Sequence, residues 1–303
     1  MAVAEETPWP TVVNETPSGI KVEFWHEPHS YRVDGVDVPS VTRITDLLSK
    51  DLAWWGMRVG YEAVMGLWEK HLLSFAADGR QLAVVHPVEN VWVLATPELV
   101  EEQIVLQKLS TSHVVSTAGA RGTRAHDALE GWAVTREMPE PQEYPPPEQP
   151  YIEAVRGFCE AMDDYWETQG VELCVGSAEH RFAGKYDLRG VCLRDTRVVT
   201  RCLRKDGSGV LKGTPEYLVI PAGTSILWDL KTSKRVYPNH VFQLAGYEIA
   251  SVEDGYPATD WRCVVHASAF GVYEVKRVNL PGEHFLALRR TYDALAAARM
   301  ALR

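Results

Sequence analysis

The sequence predicts an α/β fold with a mixed central sheet flanked by helices, and three observations predict it. Segments 171–181, 184–193, 196–203, 216–220 and 224–231 follow one another closely, with the composition of strands. A helical pattern at 237–251 separates them from two more strand-like segments, 261–268 and 271–278. The front half of the chain reads as mostly helical, so a helical portion precedes the sheet.

Each element has its own signal. Residues 1–19 hold three prolines and read as a flexible arm. In 20–39, Val22, Phe24, Tyr31 and Val33 alternate with polar residues around Asp34-Gly35, the pattern of a hairpin with its turn. Ser40 or Thr42 caps a helix start, and two or three helices are expected over 41–76. Thr96-Pro97 is an N-cap followed by proline at the first helical position. A helix over 117–135 carries His126, and the proline-rich stretch Met138 to Pro150 is a connector. Over 151–169, Ile152, Val155, Phe158, Cys159, Met162 and Trp166 share one helical face. Gly184 makes a turn between two strands, and a last helix spans 282–301. The predicted division is an arm at 1–19, a hairpin and helical portion at 20–115, and a core at 116–303.

Composition narrows the function classes. Apolar residues make up 46% of the 303 and charged residues 24%, as in folded globular chains. A net charge of −10 excludes a surface coated in non-specific DNA-binding charge, so any nucleic-acid contact comes from local basic patches. No apolar run approaches the ~18 residues of a membrane span, and the first residues lack a secretory pattern. Cys159, Cys174, Cys192, Cys202 and Cys263 are too scattered for a zinc or redox motif and read as buried, reduced thiols. Without a GxxxxGK[ST] loop, an ATP-driven motor is disfavoured.

The most informative segment is Ser225 to Ser233. On a strand Ile226, Trp228 and Leu230 face one way, and Asp229 and Lys231 the other. Charges at the end of a buried strand are costly unless paired or ligating a metal. One reading is a structural ion pair. The other is phosphodiester chemistry, in which a carboxylate holds a divalent cation and the lysine acts on the attacking water. Asp187, within a β-type segment, is a second candidate ligand. Glu179 is either a further metal or water ligand or a partner of Arg181 or Lys185. Gln243 and Tyr247, at i and i+4, are either core and surface residues or a brace for the lysine and a phosphate.

These pieces together resemble the RecB-like and lambda-exonuclease-like branch of the PD-(D/E)XK nucleases. Gly122 to Glu130, with His126, resembles the family's histidine helix, and Ala183 to Asp187 its second-motif strand. Trp228 to Ser233 resembles its (D/E)-x-K strand, and Gln243 to Tyr247 its Q-x-x-x-Y helix. His29 to Gly35 and Pro39 to Thr42 resemble the opening of phage-encoded relatives.

The resemblance implies a restriction-endonuclease-like core. It also implies Mg²⁺, with Mn²⁺ as substitute, on His126, Asp187, Asp229 and the Leu230 carbonyl, and Lys231 acting on water. Glu179, Gln243 and Tyr247 would support them, with Arg124 and Ser233 touching DNA. No iron–sulfur cluster is expected, because the relatives' late cysteine cluster is missing.

Residues 189–212 hold Arg189, Arg194, Arg197, Arg201, Arg204, Lys205 and Lys212 against Asp195 and Asp206. A basic β-protrusion at about 194–217, beside the metal site and meeting DNA through Arg201, Arg204 and Lys205, is the expectation. The implied activity is a metal-dependent deoxyribonuclease, an exonuclease of recombination, repair or end processing. It would work in the cytoplasm, the bacterial host's if phage-encoded, with a single-strand annealing or recombination protein as possible partner. A structure- or site-specific endonuclease and a catalytically inactive nucleic-acid-binding protein are the alternatives.

Overall fold

A computed structural model describes residues 11–27, 29–48, 52–77, 79–201, 204–205, 211–212 and 214–302. The chain divides into two compact units, Met1–Leu48 with Gly122–Arg303, and Ser49–Arg121.

The first unit opens with four strands, β1 (Val12–Glu15), β2 (Lys21–Trp25), β3 (Ser30–Val33) and β4 (Val36–Val38), each antiparallel to the next. Residues 12–15 are therefore not a loose arm. They pair with β2, and the Asn14 amide donates 2.7 Å to the Cys174 carbonyl. Asp34-Gly35 does turn the chain, but between β3 and β4; both residues have positive φ, 48° and 78°, as a tight two-residue hairpin requires. Val22, Phe24, Tyr31 and Val33 share one buried face and pack on Cys174 and Ala183. That contact explains why the hairpins belong with the core, not with the helical segment that follows. Ser40 then caps α1 (Val41–Thr45), accepting the Arg43 N–H at 3.0 Å.

The second unit is more β-rich than predicted. Between α2 (Leu52–Glu69) and α3 (Pro97–Leu106) lies a three-stranded sheet, β5 (Leu73–Phe75), β6 (Leu82–Val85) and β7 (Trp92–Leu94). Its strands are only three or four residues long, too short for alternation to betray them in sequence. Leu67, Leu73 and Val84 form its core, and buried Gln103 donates 2.6 Å to the Val85 carbonyl. Thr96 caps α3 as predicted.

The remaining elements are α4 (Thr111–Thr135), α5 (Gln149–Met162), β8 (Trp166–Ser177), β9 (Phe182–Cys192), β10 (Thr196–Arg201), β11 (Arg204–Lys205), β12 (Leu211–Lys212), β13 (Glu216–Ile220), β14 (Ser225–Lys231), α6 (Pro238–Glu253), β15 (Trp261–Ala267), β16 (Tyr273–Val278) and α7 (Gly282–Ala301). The helix expected to reach residue 169 stops at Met162, and Trp166 enters the core as the first residue of a strand.

The main sheet runs β16-β15-β14-β9-β8, with β14 and β15 parallel and every other neighbour antiparallel. It is a mixed sheet because α6 carries the chain back between β14 and β15, the kind of crossover that parallel neighbours require. One face, with Ile226, Trp228 and Leu230, packs on Ala125, Leu129 and Trp132 of α4 and Ile152 and Phe158 of α5. The other, with Leu227, meets Leu244, Ala245 and Tyr247 of α6.

Gly184 is not the predicted turn. The β8–β9 connection is residues 178–181, with Arg181 left-handed at φ 54°, and Gly184 lies inside β9. A Cβ there would come within 2.6 Å of the Tyr247 ring and 3.1 Å of Val41, so glycine lets α6 and α1 approach the strand.

Over 194–217, where a basic β-protrusion is expected, the chain forms antiparallel β10–β13 and β11–β12 pairs, with residues 206–210 outside the described residues. Its root buries Val198 and Ile220 in the core and leaves the sheet at the Cys192 and Ser225 ends of β9 and β14. That end of β14 is roughly 20 Å from Lys231 at ~3.3 Å per residue. The root thus lies at the opposite end of β14 from Lys231, and Arg189, counted in its basic stretch, is buried and donates to the Pro257 carbonyl. Among the described residues no helix is long and apolar enough to cross a membrane.

Candidate metal and phosphodiester site

Backbone periodicity sets the site. On β14 Asp229 and Lys231 fall on the face opposite Trp228, and Asp229 is 1% exposed. The β14–β9 ladder ends at the pair Trp228–Leu188. One residue further the strands part, and Asp187 replaces the missing ladder partner: its Oδ2 accepts the Leu230 N–H at 2.5 Å. The other oxygen, Oδ1, lies 3.2 Å from His126 Nδ1. His126 comes from α4, beside the stripe Ala125, Ala128, Leu129 and Trp132 that anchors that helix to the sheet. Lys231 Nζ sits 2.7 Å from Asp229 Oδ2.

Asp187, Asp229, Lys231 and His126, named from sequence, thus line one cavity of about 850 Å³, and Tyr247 lines it too. Others stand elsewhere. Glu179 is in the 178–181 turn, its side chain 77% exposed, beside His180 and Glu253. Gln243 is buried and donates to Thr45 Oγ1 at 3.4 Å, so it does not brace the lysine. Arg124 is ion-paired through Nη1 with the buried Glu148, a partner that ties α4 to the start of α5. The Ser233 hydroxyl donates to the Arg235 carbonyl at 2.8 Å. Arg201 pairs with Glu216 at 3.1 Å, and the side chains of Arg204 and Lys205 lie outside the described residues.

Sequence reasoning missed Glu172. It sits on β8 with a left-handed φ of 48°, 3.9 Å from His126 Nδ1 and ion-paired with Lys185. Its position in Val171-Glu172-Leu173, a charge between apolar residues on a strand, was the available signal. A non-glycine residue in the left-handed region is uncommon and concentrates at functional sites. One ligand atom each from His126, Glu172 and Asp187 lies within 4.8 Å of the others.

Three acids, Glu172, Asp187 and Asp229, are thereby crowded against three bases, His126, Lys185 and Lys231. Burial raises Asp229 to about 6, with the Asp187 charge adding to it and Lys231 opposing. Burial and Asp187 likewise raise Glu172. Asp187 goes the other way: burial resists its ionisation, but His126, Lys231 and the Leu230 amide outweigh that and lower it. Burial disfavours the His126 imidazolium, yet Asp187 raises it. Burial raises the Tyr247 hydroxyl well above its ordinary value, with the charges of Asp229 and Asp187 adding to it.

An imidazole nitrogen and carboxylate oxygens converging in a partly open cavity suit a hard or borderline divalent cation. Buried carboxylates such as Glu172 and Asp229, raised by burial and by the Asp187 charge, are what such an ion relieves. The residues present therefore fit a metal. No protein-family model matches the chain, and no curated protein matches it.

Proposed function

We propose that this chain is a divalent-metal-dependent deoxyribonuclease of the PD-(D/E)XK type, working as an exonuclease in DNA recombination, repair or end processing. The observation that carries the reading is the meeting of Asp187, Asp229 and Lys231 where two sheet strands part, with His126 and Glu172 facing them across the same cavity.

His126, Glu172, Asp187 and Asp229 would hold Mg²⁺ or Mn²⁺. When bound, the metal supplies an acidified water and polarises the phosphate. The chain's own groups do the rest. Lys231, held against Asp229, puts a positive charge where the phosphorane charge develops and donates to the attacking water. Asp187, pinned by the Leu230 amide, keeps its second oxygen and the His126 ring in one orientation. Tyr247 lines the cavity and packs close to Gly184 of β9, so its ring borders the carboxylates. Parallel pairing with β15 holds β14 rigid through Lys231, so neither charged side chain relies on a loop.

End-labelled linear DNA and covalently closed circles, each with Mg²⁺, Mn²⁺ or EDTA, test the reading beside Asp229→Ala and Lys231→Ala. Degradation of linear DNA alone, dependent on metal and lost in both variants, is the expected result. Full activity in either variant overturns the site. Cutting of closed circles overturns the exonuclease assignment.

A further inference from the structure

The cavity that holds the carboxylates has a second wall, which the proposed chemistry leaves unused. The turn between β2 and β3 brings His26 and His29 to it. Both are exposed, and both stand edge-on to the buried Phe24 ring, with centroids 5.0 and 5.1 Å away at interplanar angles of 63° and 84°. Tyr31 completes the cluster, 4.7 Å from Phe24 and 5.9 Å from His29. His29 is held at φ 58°, a left-handed conformation costly for a side chain with a Cβ. Two flat rings are thus fixed upright on an aromatic base, open to a cavity rather than packed into the core.

We propose that His26 and His29 form a stacking platform for an unpaired nucleobase, that of the nucleotide adjoining the scissile phosphate, so that the substrate enters the site as a single-stranded end. This rests on the nuclease reading above and adds the form of the substrate to it. The cavity, about 850 Å³, falls in the ~300–1,000 Å³ range of small-ligand sites, enough for a nucleotide whose base has left its stack. Aromatic platforms bind single strands because every base has a π-face. Burial, His26 and Lys185 each lower the His29 pKa, which leaves it a neutral ring suited to stacking more than a cation suited to phosphate.

The test uses single-stranded oligonucleotides with 2-aminopurine at either end, whose fluorescence is quenched on stacking, and the full chain in EDTA. The wild type should quench the probe at one end. His26→Ala and His29→Ala should each weaken binding by roughly 5- to 100-fold and abolish the quench. His29→Phe, which keeps the flat ring and loses the nitrogens, should retain it. His26→Ala stands at an ordinary φ, so the test survives if His29 variants fold poorly. Quenching that persists in both alanine variants, or is lost in His29→Phe, overturns the platform. A separate assay of DNA cutting by the wild type in Mn²⁺ judges the nuclease reading. Cutting without quenching sinks only the platform, and quenching without cutting sinks only the nuclease.

Discussion

The two faces of β14 make opposite use of alternate residues in one seven-residue strand. Ile226, Trp228 and Leu230 look into a packed aromatic layer, where Trp228 lies edge-on to Phe158 and Trp166. Asp229 and Lys231 look into a cavity where acids and bases crowd one another. The first face contributes burial, the dominant favourable term in folding. The second spends part of it, because desolvated charges cost more than they return unless something binds them. Leu227, on the cavity's side of β14, still packs against α6, so it is at the Lys231 end of the strand that one residue of register separates stability from chemistry. Substitutions at 228 to 231 should affect one or the other according to parity.

The largest effect should fall on the cavity face. Lys231→Ala is expected to lower metal-dependent DNA hydrolysis by ~10²–10³-fold or more, the scale of losing a preorganised charge at a transition state. Its melting temperature should stay within a few degrees of the wild type. A comparable loss of folding would break the proposed separation.

On the core face the reverse is expected. Trp228→Ala removes a fully buried ring and should cost about 3–5 kcal/mol in a denaturant titration. Metal affinity per folded molecule should stay near that of the wild type.

Metal should stabilise the fold through the cavity face only. At about 100 times its Kd, Mn²⁺ should raise stability by about 2.7 kcal/mol, read as a thermal shift. Asp187→Ala and Glu172→Ala should abolish that shift, while Glu179→Ala should leave it intact. A shift lost with Glu179 and kept without Glu172 would reverse the ligand assignment.

A smaller effect comes from an acid remote from the cavity. Asp254, fully buried, accepts the Gly176 N–H at 2.8 Å, and burial pushes its pKa up to about 7. Since that lies above the unfolded value of 3.8, the native state keeps a proton that the unfolded chain releases. Its contribution is present below the unfolded pKa and is lost as pH rises toward about 7, with an upper limit of about 4 kcal/mol. Asp254→Asn, which retains an acceptor, should flatten stability over that window. A profile as steep as the wild type's would remove Asp254 from the account.

The strands and helices of the core were legible because their periods are long enough to count. Asp229, Lys231 and the opposing apolar face follow from alternation alone. Tyr247 is singled out by resemblance, since its i+4 spacing from Gln243 fits a core aromatic as well, and Gln243 turns to Thr45 instead of the cavity. Glu172 leaves only the signal of a charge between Val171 and Leu173, and its left-handed position facing the cavity is not what a regular strand predicts. Gly184 misled because glycine marks both turns and close approaches, and only the packed Tyr247 decides between them. Arg189 counts toward the basic stretch in sequence, because charge in a sequence does not reveal a buried partner such as the Pro257 carbonyl. The sheet β5–β7 was hidden by the brevity of its strands.

The parting of β9 and β14 has a last consequence, in the time domain. The Leu230 amide is guarded by a side chain, not by a neighbouring strand, so its exchange with solvent deuterium tracks the Asp187 carboxylate. One backbone proton in the middle of a five-stranded sheet thereby becomes a clock for the site. It should slow when Asp187 is held and quicken when that carboxylate lets go, while the amide of Trp228, inside the ladder, keeps its pace.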